Sequence, residues 1–203
     1  MDKHIQIAAW ANIVGIVLTA ASYFSTPNLY LDLISTLFGA IGTYGFYRIG
    51  HLEKMRLLKT AAVLVIIASL AYVAFDAVAQ LPWDVPRTIG PTSPEITQLG
   101  GAIANFQVSF TVIGILIGLL GYSILALRKK FGNLALWTGV TGILTGASIV
   151  LMFGLPLAAA ILNIKSDIPL MAAVTGMFLA FPAITVNWIL EIILLFKAAK
   201  KYK

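Results

Sequence analysis

Three carboxylates stand inside apolar runs of this chain: Asp32, Asp76 and Glu191. A carboxylate so placed binds a cation, a proton or an amine, or it hydrogen-bonds a neighbouring helix. Asp76 is the sharpest case. It lies in "AYVAFDAVAQLPWDVP" (71–86), an apolar run that ends in a proline-rich exit. From Leu81 back to Asp76 is five residues, about 7.5 Å of helix. A charged side chain at the centre of a bilayer costs about 3 kcal/mol and is a functional candidate by default. The shallow depth of Asp76 lowers that cost and leaves two readings. It is a polar residue that reaches headgroup water, or it is a cation, proton or amine site open to the outside. Asp32, Gln80, Asn105, Gln107 and Tyr30 belong to the same outer leaflet and would complete such a site.

Glu191 precedes Lys197 by one and a half turns, so it reads as a residue near the inner interface that snorkels or pairs with basic side chains. Asn187, one turn deeper, reads as an interhelical hydrogen-bond donor. His4, His51, Asp2 and Glu53 fall on one side of the membrane and could make a superficial metal site, but their spacing matches no metal motif. There are no cysteines, which removes disulfides, thiolate nucleophiles and Cys-type zinc sites. No GxSxG, HExxH or phosphate loop is present. The sequence thus points to no catalytic residue, no metal and no cofactor.

The elements that position these groups follow from composition. The chain has 203 residues, 60% hydrophobic and 11% charged. A soluble domain carries about 25% charged residues, so much of this surface must face lipid. Six apolar segments are long enough to span a bilayer, which takes about 20 residues each. They cover 5–24, 30–47, 57–81, 100–127, 134–164 and 168–196. Pro156 is expected to kink the fifth and Pro182 to bend the sixth. The 82–99 loop holds four prolines, and Ser93-Pro94-Glu95 reads as an N-cap, a first-turn proline and an acidic first turn.

With the N-terminus inside, 12 Lys and Arg residues fall on the inner side and only Arg87 and Lys165 on the outer, which accounts for all 14. The positive-inside rule therefore puts both termini in the cytoplasm. The net charge of +6 is a topology signal and a contact for anionic headgroups rather than a nucleic-acid patch. Trp10, Tyr44, Tyr47, Trp137 and Trp188 read as an inner aromatic belt, and Tyr23, Tyr30 and Trp83 as an outer one.

Small and polar residues recur at steps of three and four in every span, which puts each set on one helix face. In lipid, helices associate through close packing of small residues and interhelical hydrogen bonds. Gly39, Gly42, Gly114, Gly118, Gly121, Gly142 and Gly146 are the packing candidates. The expected fold is all-α, a single compact bundle of six transmembrane helices with Leu, Ile, Val and Phe facing lipid. "LFGAIGTY" (37–44) also echoes "LIGLLGYS" (116–123), as a duplicated hairpin would.

"QIAAWANIVGIVLTAASYFSTP" (6–27), "LGYSILALRKKFGNLALWTGVTGILTG" (120–146) and "FPAITVNWILEIILLFKAAKK" (181–201) together resemble a broad, functionally uncharacterised family of six-helix bacterial and archaeal integral membrane proteins. The resemblance implies a six-helix membrane protein and supplies no activity or site residue. Two functional classes follow. One is a non-catalytic accessory subunit or lipid-contacting scaffold of a plasma-membrane complex, whose partners are lipids, other subunits or a second copy. The other is a small oligomeric transporter or channel, with Asp76 and Asp32 as an outward-facing cation or proton site.

Overall fold

The computed structural model describes residues 2–24, 29–79, 94–162, 164 and 167–202; the side chains of 23, 24, 29, 32, 75–79 and 94–105 lie outside that description. The described residues form helices joined by short turns, with no strand among them. The long helices are α1 (Lys3–Phe24), α2 (Leu29–Leu52), α3 (Arg56–Ala79), α4 (Pro94–Leu125), α6 (Asn133–Ile149) and α8 (Ile168–Lys201). A short α5 (Arg128–Phe131) links α4 to α6, and α7 (Leu155–Ile161) continues α6 through a π-helical turn, Val150–Gly154.

Local chemistry explains the boundaries. Asp2 caps α1: its Oδ1 accepts the backbone N–H of His4 at 3.0 Å and of Ile5 at 3.2 Å, donors with no intrahelical partner. The α2–α3 turn closes through a Schellman-type pair, with Met55 N–H bonded to Gly50 O and Lys54 N–H to His51 O. Lys54 takes the left-handed position of that motif at φ 57°, where glycine is usual. Gly132 supplies the corresponding freedom between α5 and α6, at φ 65°. Helix α4 begins at Pro94, where a missing N–H costs nothing. The expected kink of the fifth span is realised as the π-turn directly before Pro156: the proline cannot bond to Met152 O, and the wider turn absorbs the lost bond. Helix α8 passes through Pro182 without interruption for 34 residues, about 51 Å at 1.5 Å per residue.

The long helices pack in chain order. Helix α1 lies on α2, α2 on α3, α3 on α4, α4 on α6 and α6 on α8, and α8 returns to α1. The result is a closed ring. Glycine sets the tightest seam. A Cβ on Gly121 would stand 2.7 Å from Ile143 N and 2.8 Å from Gly139 O, so α4 and α6 meet backbone to backbone. One end of the ring carries both termini, joined where Asp2 N–H bonds Ala199 O at 2.9 Å. Ile5, Phe46, Leu58, Leu127, Phe131 and Leu194 fill that end as a solvent-free core. Lys3, Arg48, Lys59, Arg128 and Lys201 rim it.

The outer wall is apolar. Val17, Ile67, Ile115, Phe178 and Phe181 are 57–72% exposed, a surface for lipid rather than water. Among the described residues, five helices are long and apolar enough to cross a membrane: α1, α3, α4, the α6–α7 unit and α8. Helix α2, in which the side chains of 29 and 32 lie outside the description, is not among them.

Candidate functional site

Helix α8 places Ile184, Asn187, Trp188 and Glu191 at i, i+3, i+4 and i+7, which is one face. That face looks into a cavity of about 350 Å³. All six long helices contribute to its wall: Asn12 from α1, Thr43 from α2, Ser69 and Tyr72 from α3, Phe110 from α4, Thr145 from α6 and the α8 residues. A cavity lined by every helix of a ring lies on the ring's axis. The core described above closes it on the side of the termini.

Asn187 joins two neighbours. Its Nδ2 donates to Glu191 Oε1 at 2.9 Å, and its Oδ1 accepts from Thr141 Oγ1 at 3.0 Å. Thr141 Oγ1 also lies 2.9 Å from Trp137 O and 3.1 Å from Thr138 O, and its single proton serves one of the three at a time. Two glycines make the room. A Cβ on Gly142 would stand 2.9 Å from Gly121 Cα and 3.5 Å from Asn187 Oδ1, so the small residue admits both α4 and the amide. A Cβ on Gly42 would overlap the Asn12 amide, so that glycine accommodates the polar residue of α1.

Glu191 has no basic partner: the ion pairs among the described residues are Asp2–Arg48 and Glu53–Lys130. The expected pairing at the inner interface is not what the fold provides. The lysines at the end of α8 turn elsewhere: Lys197 Nζ reaches Phe131 O at 3.5 Å and Lys201 Nζ reaches Lys130 O at 3.4 Å, while Glu191 lines the cavity. Trp188 also lines this cavity. Thr145 Oγ1, buried in the same wall, has no partner among the described residues.

Most other hydroxyls are spent on their own helices. Thr19, Thr43, Thr111, Ser123, Thr138, Ser148 and Thr185 each donate to the carbonyl four residues back. The stripes of Thr and Ser are therefore not a chain of free polar groups.

The outer candidates divide. The side chains of Asp76, Asp32 and Asn105 and the whole of Gln80 lie outside the described residues. Gln107 is described, and it lines a second hollow of about 720 Å³ on the flank of the bundle, between α4, the π-turn, α7 and α8. Of the packing candidates, Gly114, Gly121, Gly142 and Gly146 sit where a Cβ would strike α6 or α4, and Gly42 where it would strike Asn12. A Cβ on Gly39 or Gly118 would meet nothing within 4 Å. The two echoed segments thus behave alike, with an open first glycine and a crowded second.

Four rings separate the two hollows. Phe106 and Phe153 line the flank hollow, Phe110 and Tyr72 the central one. Phe106 and Phe110 are 4.5 Å apart between centroids, Phe110 and Phe153 4.9 Å, and Tyr72 and Phe110 5.0 Å, so they form one partition.

Two ionic clusters hold the end that carries the termini. Asp2 Oδ2 meets Arg48 Nε at 3.2 Å. Partial burial raises the Asp2 carboxyl, but the Ile5 N–H and the Arg48 guanidinium outweigh it, and the group ends below its ordinary value. Glu53 takes Lys130 Nζ at 2.8 Å and accepts from the Tyr202 hydroxyl. Burial again raises it, and the Lys130 and Tyr202 bonds bring it below the usual carboxylate value. Burial, then the Glu53 bond and charge, push the Tyr202 phenol up. Asp2 and Glu53 are thus engaged in ion pairs, and no three His, Asp or Glu among the described residues are grouped to hold a metal ion.

No protein-family model, curated protein or solved structure matches the chain.

Proposed function

We propose that this chain is a non-catalytic plasma-membrane protein of six spans, with both termini in the cytoplasm, that binds a small cation within the bilayer. It belongs in this reading to the transporter-or-channel class, with lipids and copies of itself as its neighbours. The observation that carries it is Glu191: a carboxylate without a basic partner among the described residues, facing a cavity lined by all six long helices. A carboxylate inside a membrane-spanning helix carries a desolvation cost, and a cation offsets it. The reading moves the site from the outer carboxylates Asp76 and Asp32 to Glu191. Six spans rest on the place of α2 between α1 and α3 in the ring, and the orientation on the 12 inner basic residues. An accessory subunit or lipid-contacting scaffold would account for the apolar wall, but it leaves the carboxylate without a use.

The test is charge displacement on solid-supported membranes bearing the reconstituted protein. Concentration jumps of sodium, potassium, methylammonium and phenethylammonium are applied at constant pH. At least one is expected to give a transient current that Glu191→Gln abolishes and Asp76→Asn retains. If no current depends on Glu191, the reading falls and the scaffold class remains.

A further inference from the structure

The central cavity is built for more than a bare ion. An inorganic cation needs a shell of oxygens to replace its water: six for magnesium, six to eight for calcium. Besides Glu191, the wall offers side-chain oxygens on Asn12, Thr36, Thr43, Ser69, Thr145 and Asn187, spread over five helices rather than gathered into one shell. Most of the remaining wall is hydrocarbon: Val65, Ile113, Ile117, Leu120 and Ile149. Trp188, next to the carboxylate face, adds an indole of the kind that attracts ammonium groups. The volume of about 350 Å³ falls in the range of small organic ligand sites, which starts at about 300 Å³.

The approach is of the same character. The flank hollow opens to the lipid-facing wall beside Leu170 and Met177, which are 67% and 50% exposed. Among the described residues, the packed rings of Phe106, Phe110, Phe153 and Tyr72 link the lining of the one to that of the other. A hydrated ion loses its shell against such a partition, whereas an apolar body packs on it.

We propose that the site takes a primary ammonium carried on an apolar or aromatic body, its nitrogen on Glu191 with Asn12 and Trp188 around it. The ligand reaches it from the bilayer, through the flank hollow and past the aromatic partition. Asn12 suits the role, since its side chain makes no hydrogen bond among the described residues and lines the same wall. This inference rests on the reading of Glu191 as a cation site and names the class of cation.

The test is equilibrium binding of tritiated phenethylamine to the full chain in lipid nanodiscs. On the unaltered protein, unlabelled phenethylamine is expected to compete at least tenfold better than 2-phenylethanol, which lacks the charge. It should also compete at least tenfold better than methylamine, which lacks the body. Glu191→Gln should weaken binding at least tenfold, the loss expected for one charge-assisted hydrogen bond. Phe110→Ala should speed both association and dissociation. Equal competition by the alcohol, or unchanged binding by Glu191→Gln, overturns the proposal. The ligand series needs no variant, so a folding defect in Glu191→Gln does not shield it. Glu191-dependent currents with sodium or potassium and no phenethylamine binding would overturn this inference while leaving the cation site standing. No Glu191 dependence with any cation removes both.

Discussion

Two glycines at one helix crossing are expected to respond to the same substitution with opposite sign. A Cβ at Gly146 would lie 2.6 Å from Gly118 N and 2.8 Å from Gly118 Cα, with Gly114 O closer still. These are backbone atoms, which no rotamer change removes. The overlap is about 1 Å against an ordinary carbon contact of about 3.5–4.0 Å, so α4 and α6 must separate. Overpacking of that kind costs about 1–3 kcal/mol. The better helix propensity of alanine returns up to about 1 kcal/mol. Gly146→Ala is thus expected to destabilise by about 1–2 kcal/mol. At Gly118 an added Cβ meets nothing within 4 Å. There the propensity gain stands alone, and Gly118→Ala is expected to stabilise by about 0.5–1 kcal/mol. The assay is thermal unfolding of the purified variants in one mild detergent, followed by circular dichroism and by size-exclusion recovery. Destabilisation by both substitutions, or by Gly118→Ala alone, would refute the assignment of the seam to Gly146 and its backbone neighbours.

Lys54→Gly removes a non-glycine residue from the left-handed region at φ 57° and is expected to stabilise by about 1 kcal/mol, read as a higher melting temperature. Asp2 and Glu53 both titrate below their ordinary values, so their contribution is present above the unfolded-state values near pH 4 and is lost as the pH falls through the folded-state ones. Amide exchange at the ends of α1 and α8 should therefore quicken below about pH 4, and the double variant Asp2→Asn, Glu53→Gln should flatten that dependence. Tyr202 has the opposite sign: its raised phenol contributes below about pH 10 and is lost as the pH climbs through the folded-state value. Tyr202→Phe should cost about 1 kcal/mol and leave Glu53 with Lys130 alone, seen as a melting temperature that no longer declines more steeply in strong alkali.

The helices were legible because lipid demands long apolar runs, and the stripe on the last span foretold its inward face, with Gly176, Ala180 and Asn187 all buried. The crowded glycines were legible for the same reason, since small residues at steps of three and four have few other uses in a bilayer. The partner of Glu191 was not: the sequence suggests the lysines that follow it, whereas the fold gives it Asn187 one turn back. Adjacency was not legible either. Nothing in one sequence says that α8 returns to α1, and only that closure makes a cavity of Asn12, Thr43, Ser69 and Glu191. That Trp188 lines the cavity was not legible either, because periodicity reports a face without telling a lipid face from an inward one. The sign that was available is the Asn187–Glu191 spacing, one helical turn, which lets an amide hold a carboxylate.

The closing of the ring by α8 also makes that helix the one whose packing completes the cavity. The bond between Asn187 and Glu191 lies within α8 and needs no other helix, whereas the bond from Thr141 to Asn187 exists only where α8 meets α6. The polar centre thus joins one contact that is local to a helix to one that depends on the closed ring.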